Sequence, residues 1–189
     1  MKLYESHKYW KRLPKEQANQ QPFFMVQPRR NNKNSITHPL AKQQKATAVK
    51  GKEVNNPYYI KKHVFNQMVQ HCKQQYPLEA CGLLSGKNGL GESFWMMENI
   101  NRNPNSFAMD MEQLKQVFQS MSGKGEELTA IFHSHPTTAP YPSQKDIKFA
   151  HYPEAAYIIV SLTRQRSHVK CFYIEKWHVC ERNLEIVND

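Results

Sequence analysis

The stretch LTAIFHSH, residues 128–135, runs an apolar segment straight into two histidines separated by a single residue, with a proline next. Its β-branched and aromatic content predicts a strand. Side chains at i and i+2 leave the same face of a strand, so His133 and His135 point together into one space at its end. A surface His-x-His pair is common, and the residues downstream decide whether this one is a metal site.

Seven residues separate His135 from Ser143, and two separate Ser143 from Asp146. Locally, SQKD reads as a helix start, with Ser143 as N-cap and Asp146 at the third helical position of a capping box. Such a helix start, aimed back at the strand end, adds a carboxylate and a hydroxyl to the two imidazoles. Two neutral imidazoles and one carboxylate leave a tetrahedral zinc one open position for water, the pattern of catalytic rather than closed structural sites. A zinc hydrolase also needs a proton shuttle that is not a ligand. Glu79, in YPLEACGLLSG (residues 76–86), is the candidate: an isolated carboxylate at the mouth of an apolar strand, where desolvation raises its pKa. Read alone, it is an exposed loop acid.

Outward from these positions the pattern alternates between helical and extended. Ile60, Val64, Met68 and Cys72 recur at helical spacing and predict an amphipathic first helix over residues 58–76, ending near Pro77. Residues 80–86 and 92–100 read as two strands of a hairpin around the Gly-bearing KNGLG. Met111, Leu114, Val117, Phe118 and Met121 share one helical face, with Asp110 as N-cap. Residues 143–152 predict a short helix, 156–162 a strand, and HVKCFYIEKWHV (168–179) paired strands. The whole is an α/β domain with a mixed sheet flanked by helices.

The chain has 189 residues, room for one domain and an extension. Residues 1–56 hold twelve Lys/Arg against three Asp/Glu, while residues 57–189 hold fourteen against thirteen, so the basic excess lies almost wholly at the N-terminus. That segment shows neither helical nor strand periodicity and reads as a disordered arm. Such an arm can hold an acidic partner, a nucleic acid or an anionic surface, or be a solvated arm with no dedicated partner. No apolar signal region opens the chain and no run suits a transmembrane segment, which predicts a soluble, cytoplasmic protein. The four cysteines form no Cys-x-x-Cys pair and are expected as thiols. His168, Cys171, His178 and Cys180 cluster in sequence, but their spacing fits no zinc finger.

Glu79, His133-x-His135 with Pro136, then Ser143 and Asp146, in that order and spacing, resemble the JAMM signature of the MPN-plus (Mov34/MPN/PAD-1) metalloproteases. EACGLLSG, NPNSFAMD and AYIIVSL resemble the same family, and the likeness runs over residues 58–187. It implies a cytidine-deaminase-like fold with one catalytic Zn2+ held by His133, His135 and Asp146. It further implies Glu79 as general acid/base and Ser143 as the hydrogen-bond donor to the tetrahedral intermediate. The implied substrate is the C-terminal tail of a ubiquitin-like or sulfur-carrier protein, cut by a compact prokaryotic-type peptidase or isopeptidase. The rival expectations are a binding or scaffold MPN domain that keeps zinc with little activity of its own, and a cysteine protease built on Cys81.

Overall fold

The computed structural model describes residues 56–163 and 166–189; the basic arm predicted over 1–56 lies, apart from Asn56, outside the described residues. In chain order the elements are β1 (Tyr58–Lys61), α1 (Lys62–Gln74), β2 (Cys81–Gly86), β3 (Ser93–Met97), α2 (Met111–Gly123) and β4 (Glu127–His135). Then come α3 (Gln144–Lys148), β5 (Ala156–Ser161), β6 (His168–Glu175), β7 (His178–Arg182) and β8 (Leu184–Val187).

Six strands form one sheet in the order β3-β2-β4-β5-β6-β7. The β4–β5 pair is parallel and its neighbours are antiparallel, so the sheet is mixed as predicted. The central strand β4 is buried at every residue but Glu127, which matches its apolar sequence and its cover on both faces. On one face Leu83, Ile131, Ile159 and Phe172 pack with Leu114 and Met121 of α2. On the other, Leu84, Phe132 and Ile158 pack with Val64, Met68 and Cys72 of α1. Three layers, helix on sheet on helix, follow from this alternation.

The first predicted helix starts four residues late. Tyr58–Lys61 is instead a strand, pairing parallel with β8 in a separate two-stranded sheet. Tyr58 and Ile60 are buried and Tyr59 is exposed, a period of two hidden inside a sequence that also fits a helix. The β8 strand that decides between them lies at the far end of the chain.

Register positions the site. Cys81 pairs with His133 in the antiparallel β2–β4 ladder. Carried two residues further, that register sets Glu79 opposite His135 and on the same face as both histidines. Gly82 makes the register possible. A Cβ there would meet Phe132 ring carbons at 2.4 Å and the Trp95 carbonyl oxygen at 2.6 Å.

Candidate metal centre

His133 and His135 sit at the C-terminal end of β4, 4% and 6% exposed. Their Nε2 atoms are 3.0 Å apart. Asp146 Oδ1 lies 3.5 Å from His133 Nε2, and Oδ2 lies 3.7 Å from His135 Nε2. One ligand atom from each residue can be chosen so that all lie within 4.8 Å of one another. Ligand nitrogens about 2.0–2.1 Å from a tetrahedral zinc stand roughly 3.3 Å apart, so this buried N,N,O set fits one such ion.

The donors are held in the required state. The His135 Nδ1 donates to the Ala139 carbonyl at 2.9 Å, which fixes its tautomer and leaves the Nε2 lone pair facing the cluster. The loop carrying that carbonyl is tied down by Ser161 Oγ, which donates to the Thr138 carbonyl at 2.7 Å. The His133 ring stacks on Phe107, centroids 4.8 Å apart. Burial pushes the His133 pKa down, but the Asp146 carboxylate beside it wins and leaves it raised. For Asp146, burial pushes the other way, and His133, His135 and Ser143 hold it far below the usual carboxylate range. An acid kept ionised against two imidazoles is the charge arrangement a cation would replace.

Ser143 forms the predicted capping box: its Oγ accepts from the Asp146 N–H at 3.2 Å, and its own N–H donates to Asp146 Oδ2 at 2.6 Å. The cap therefore aims the Asp146 carboxylate. It uses Ser143 Oγ as an acceptor.

Glu79 is 7% exposed. Burial raises its pKa to about 7, partly offset by His133, His135 and Lys145 and reinforced by Asp146. The structure thus brings together all five positions singled out from the sequence. It does not favour Cys81 as a nucleophile: the side chain is fully buried, burial pushes its thiol well above the ordinary range, and Sγ is turned to the Met97 carbonyl at 3.8 Å. His168, Cys171, His178 and Cys180 do not form a metal cluster, and all four cysteines are free.

Three supports were not visible in the sequence. Ser134, between the histidines, points to the opposite face and accepts the Ala80 N–H at 2.8 Å, while its own N–H donates to the Ala80 carbonyl at 2.9 Å. Phe107 reaches the site from a loop whose sequence shows only turn chemistry, and Asn99 lies in the stretch 92–100 predicted as a strand, of which the structure keeps Ser93–Met97. A serine inside an apolar strand is the one local signal among them.

A family model described as prokaryotic homologs of the JAB domain matches residues 61–175, and the chain belongs to that family. It is 33% identical over 131 residues to the CysO-cysteine peptidase of Mycobacterium tuberculosis, a match covering 68% of this chain and 90% of the relative. It is 27% identical over 88 residues to the desampylase of Haloferax volcanii, covering 45% of this chain and 63% of the relative. A solution structure of a protein from Desulfitobacterium hafniense aligns with a TM-score of 0.64 at 32% identity, over 69% of this chain and 93% of that one. The fold is the α/β JAB/MPN fold, and the chain is a homologue of JAMM-type metallopeptidases. Among the described residues no helix is long and apolar enough to cross a membrane.

Proposed function

We propose that the protein is a zinc-dependent peptidase that hydrolyses the amide bond after the C-terminal tail of a ubiquitin-like or sulfur-carrier protein. The observation that carries this reading is the buried convergence of His133, His135 and Asp146, with Glu79 on the same face one strand away. Zinc held by the two imidazoles and the carboxylate supplies Lewis-acid activation of water and of the scissile carbonyl.

The protein's own groups do the rest. Glu79, poised by burial near neutrality, accepts a proton from the attacking water and returns it to the departing amine nitrogen, a role that contributes roughly 10²–10⁴-fold. Ser143 donates its hydroxyl to the oxyanion that develops on the former carbonyl, worth about 3 kcal/mol where the geometry is good. The substrate class is supported by the resemblance to the family and by the mycobacterial relative, whose name is CysO-cysteine peptidase. Four free thiols suit the reducing cytoplasm as the place of action. The basic arm, if it recruits an acidic or anionic partner, does so by counterion release and weakens steeply with salt.

The test is cleavage of a panel of ubiquitin-like and sulfur-carrier proteins, each extended at the C-terminus by one cysteine or by a fused protein. Turnover that disappears with a chelator and returns with added Zn2+ is the expected result. A zinc-loaded protein that cuts none of the panel would instead support a binding or scaffold role.

A further inference from the structure

We propose that Asn99 is a positioning residue for the reaction: it anchors the backbone of Glu79 to the loop that also carries the ring stacked on His133. The inference rests on the peptidase reading above. Asn99 is 9% exposed and uses its whole amide. Its Nδ2 donates to the Glu79 carbonyl at 2.9 Å and to the Ser106 carbonyl at 3.0 Å. Its Oδ1 accepts from the Asn101 N–H at 3.0 Å and the Ala108 N–H at 3.1 Å. A side-chain amide has two donor hydrogens and two acceptor lone pairs, and all four are matched here.

The same loop holds the other side of Glu79, whose N–H donates to the Asn103 carbonyl at 3.1 Å. Both peptide groups at Glu79 are therefore fixed from residues 99–103. Glu79 stands before the first residue of β2, beyond the ladder that would otherwise hold it. Side-chain rotation alone would not keep a proton-transferring carboxylate in place if its Cα were free to drift, and an ångström of misplacement is costly in rate. Phe107, two residues before the isolated bridge partner of Asn99 at Met109, stacks on His133. One asparagine thus joins the loop contacts of the proton shuttle and of a candidate metal ligand.

The alternatives for a surface or buried asparagine are tested by two substitutions. Asn99→Ala removes every bond, whereas Asn99→Asp keeps the acceptor for Asn101 and Ala108 and loses both donations. The assay protein is the full chain loaded with zinc, and the probe is a ubiquitin-like carrier protein extended by a C-terminal cysteine. The expected result is a ten- to hundredfold lower kcat in both variants, with KM within twofold and zinc content unchanged. In a Glu79→Gln background the same substitutions should cause no further loss, because a positioning effect has nothing left to position. Amide hydrogen exchange gives a readout independent of turnover. The Glu79 amide should exchange at least tenfold faster in both variants and the Ala108 amide in Asn99→Ala alone, with those of Ile131 and Ile159 unchanged.

Equal penalties with and without Glu79, or wild-type kcat in Asn99→Asp, would overturn the proposal and leave Asn99 as a loop brace. Unchanged exchange at Glu79 would do the same. Should Asn99→Ala fail to fold, Asn99→Asp carries the test alone. A zinc-loaded wild type that cleaves nothing overturns the peptidase reading instead, and the exchange measurement still decides whether Asn99 anchors Glu79.

Discussion

At Glu79, burial stabilises the neutral acid up to about pH 7, against an ordinary value of 4.5. A raised folded-state pKa means that the folded chain binds the proton more tightly than the unfolded one. The stability this contributes is complete below pH 4.5 and is lost as pH rises through 7. Glu79→Gln, which mimics the neutral acid, should therefore stabilise the chelator-treated protein at pH 8 by about 1–3 kcal/mol and leave it nearly unchanged at pH 4. Denaturant titrations at the two pH values check this, and equal stabilities at pH 8 would contradict it. In the loaded protein the cation opposes burial, so the acidic limb of kcat/KM should lie at or below about pH 7. Ser143→Ala should lower kcat by roughly 10²-fold and weaken the cap of α3 by about 1 kcal/mol. Zinc content should be retained, and a kcat equal to wild type would leave Ser143 as a cap only.

At the scale of elements, the site depends on the β2–β4 register, which Gly82 permits. Gly82→Ala puts a methyl group into the Phe132 ring and the Trp95 carbonyl, and overpacking of this kind costs about 1–3 kcal/mol. A lowered denaturation midpoint with an unchanged m-value is the expected readout; an unchanged midpoint would show that the pair of strands can yield. The same elements explain what the sequence could and could not reveal. His133, His135, Ser143 and Asp146 were legible because strand alternation and a capping box are local rules acting over a few residues. The α2 face and its Asp110 cap, which accepts the Gln113 N–H at 2.9 Å, were legible for the same reason. The strand at Tyr58–Lys61 was not, since its partner β8 is more than a hundred residues away. Asn99 was equally hidden: it falls at the end of a stretch read as a strand, and nothing in ENINRNPNS marks the asparagine whose amide holds the Glu79 carbonyl.

At the scale of the molecule, the two core clusters among the described residues run from Tyr58 to Leu184. A chain shortened to residues 56–189 should therefore unfold cooperatively and keep its zinc. Loss of the cooperative transition in calorimetry would show that the arm contributes to the fold. On the proposed reading, zinc binds the folded site and not the dispersed side chains of the unfolded chain. Free zinc a thousandfold above its dissociation constant should add about 4 kcal/mol of stability, seen as a raised Tm that a chelator reverses. The measurement that bears most directly on the central claim is zinc stoichiometry by elemental analysis of the wild type, Asp146→Ala and Glu79→Gln. The account predicts near one zinc in the wild type, loss of zinc in Asp146→Ala, and zinc retained in a Glu79→Gln protein that no longer cleaves. A wild type that holds no stoichiometric zinc under metal-replete conditions would contradict it and reduce His133 and His135 to neighbours on a strand.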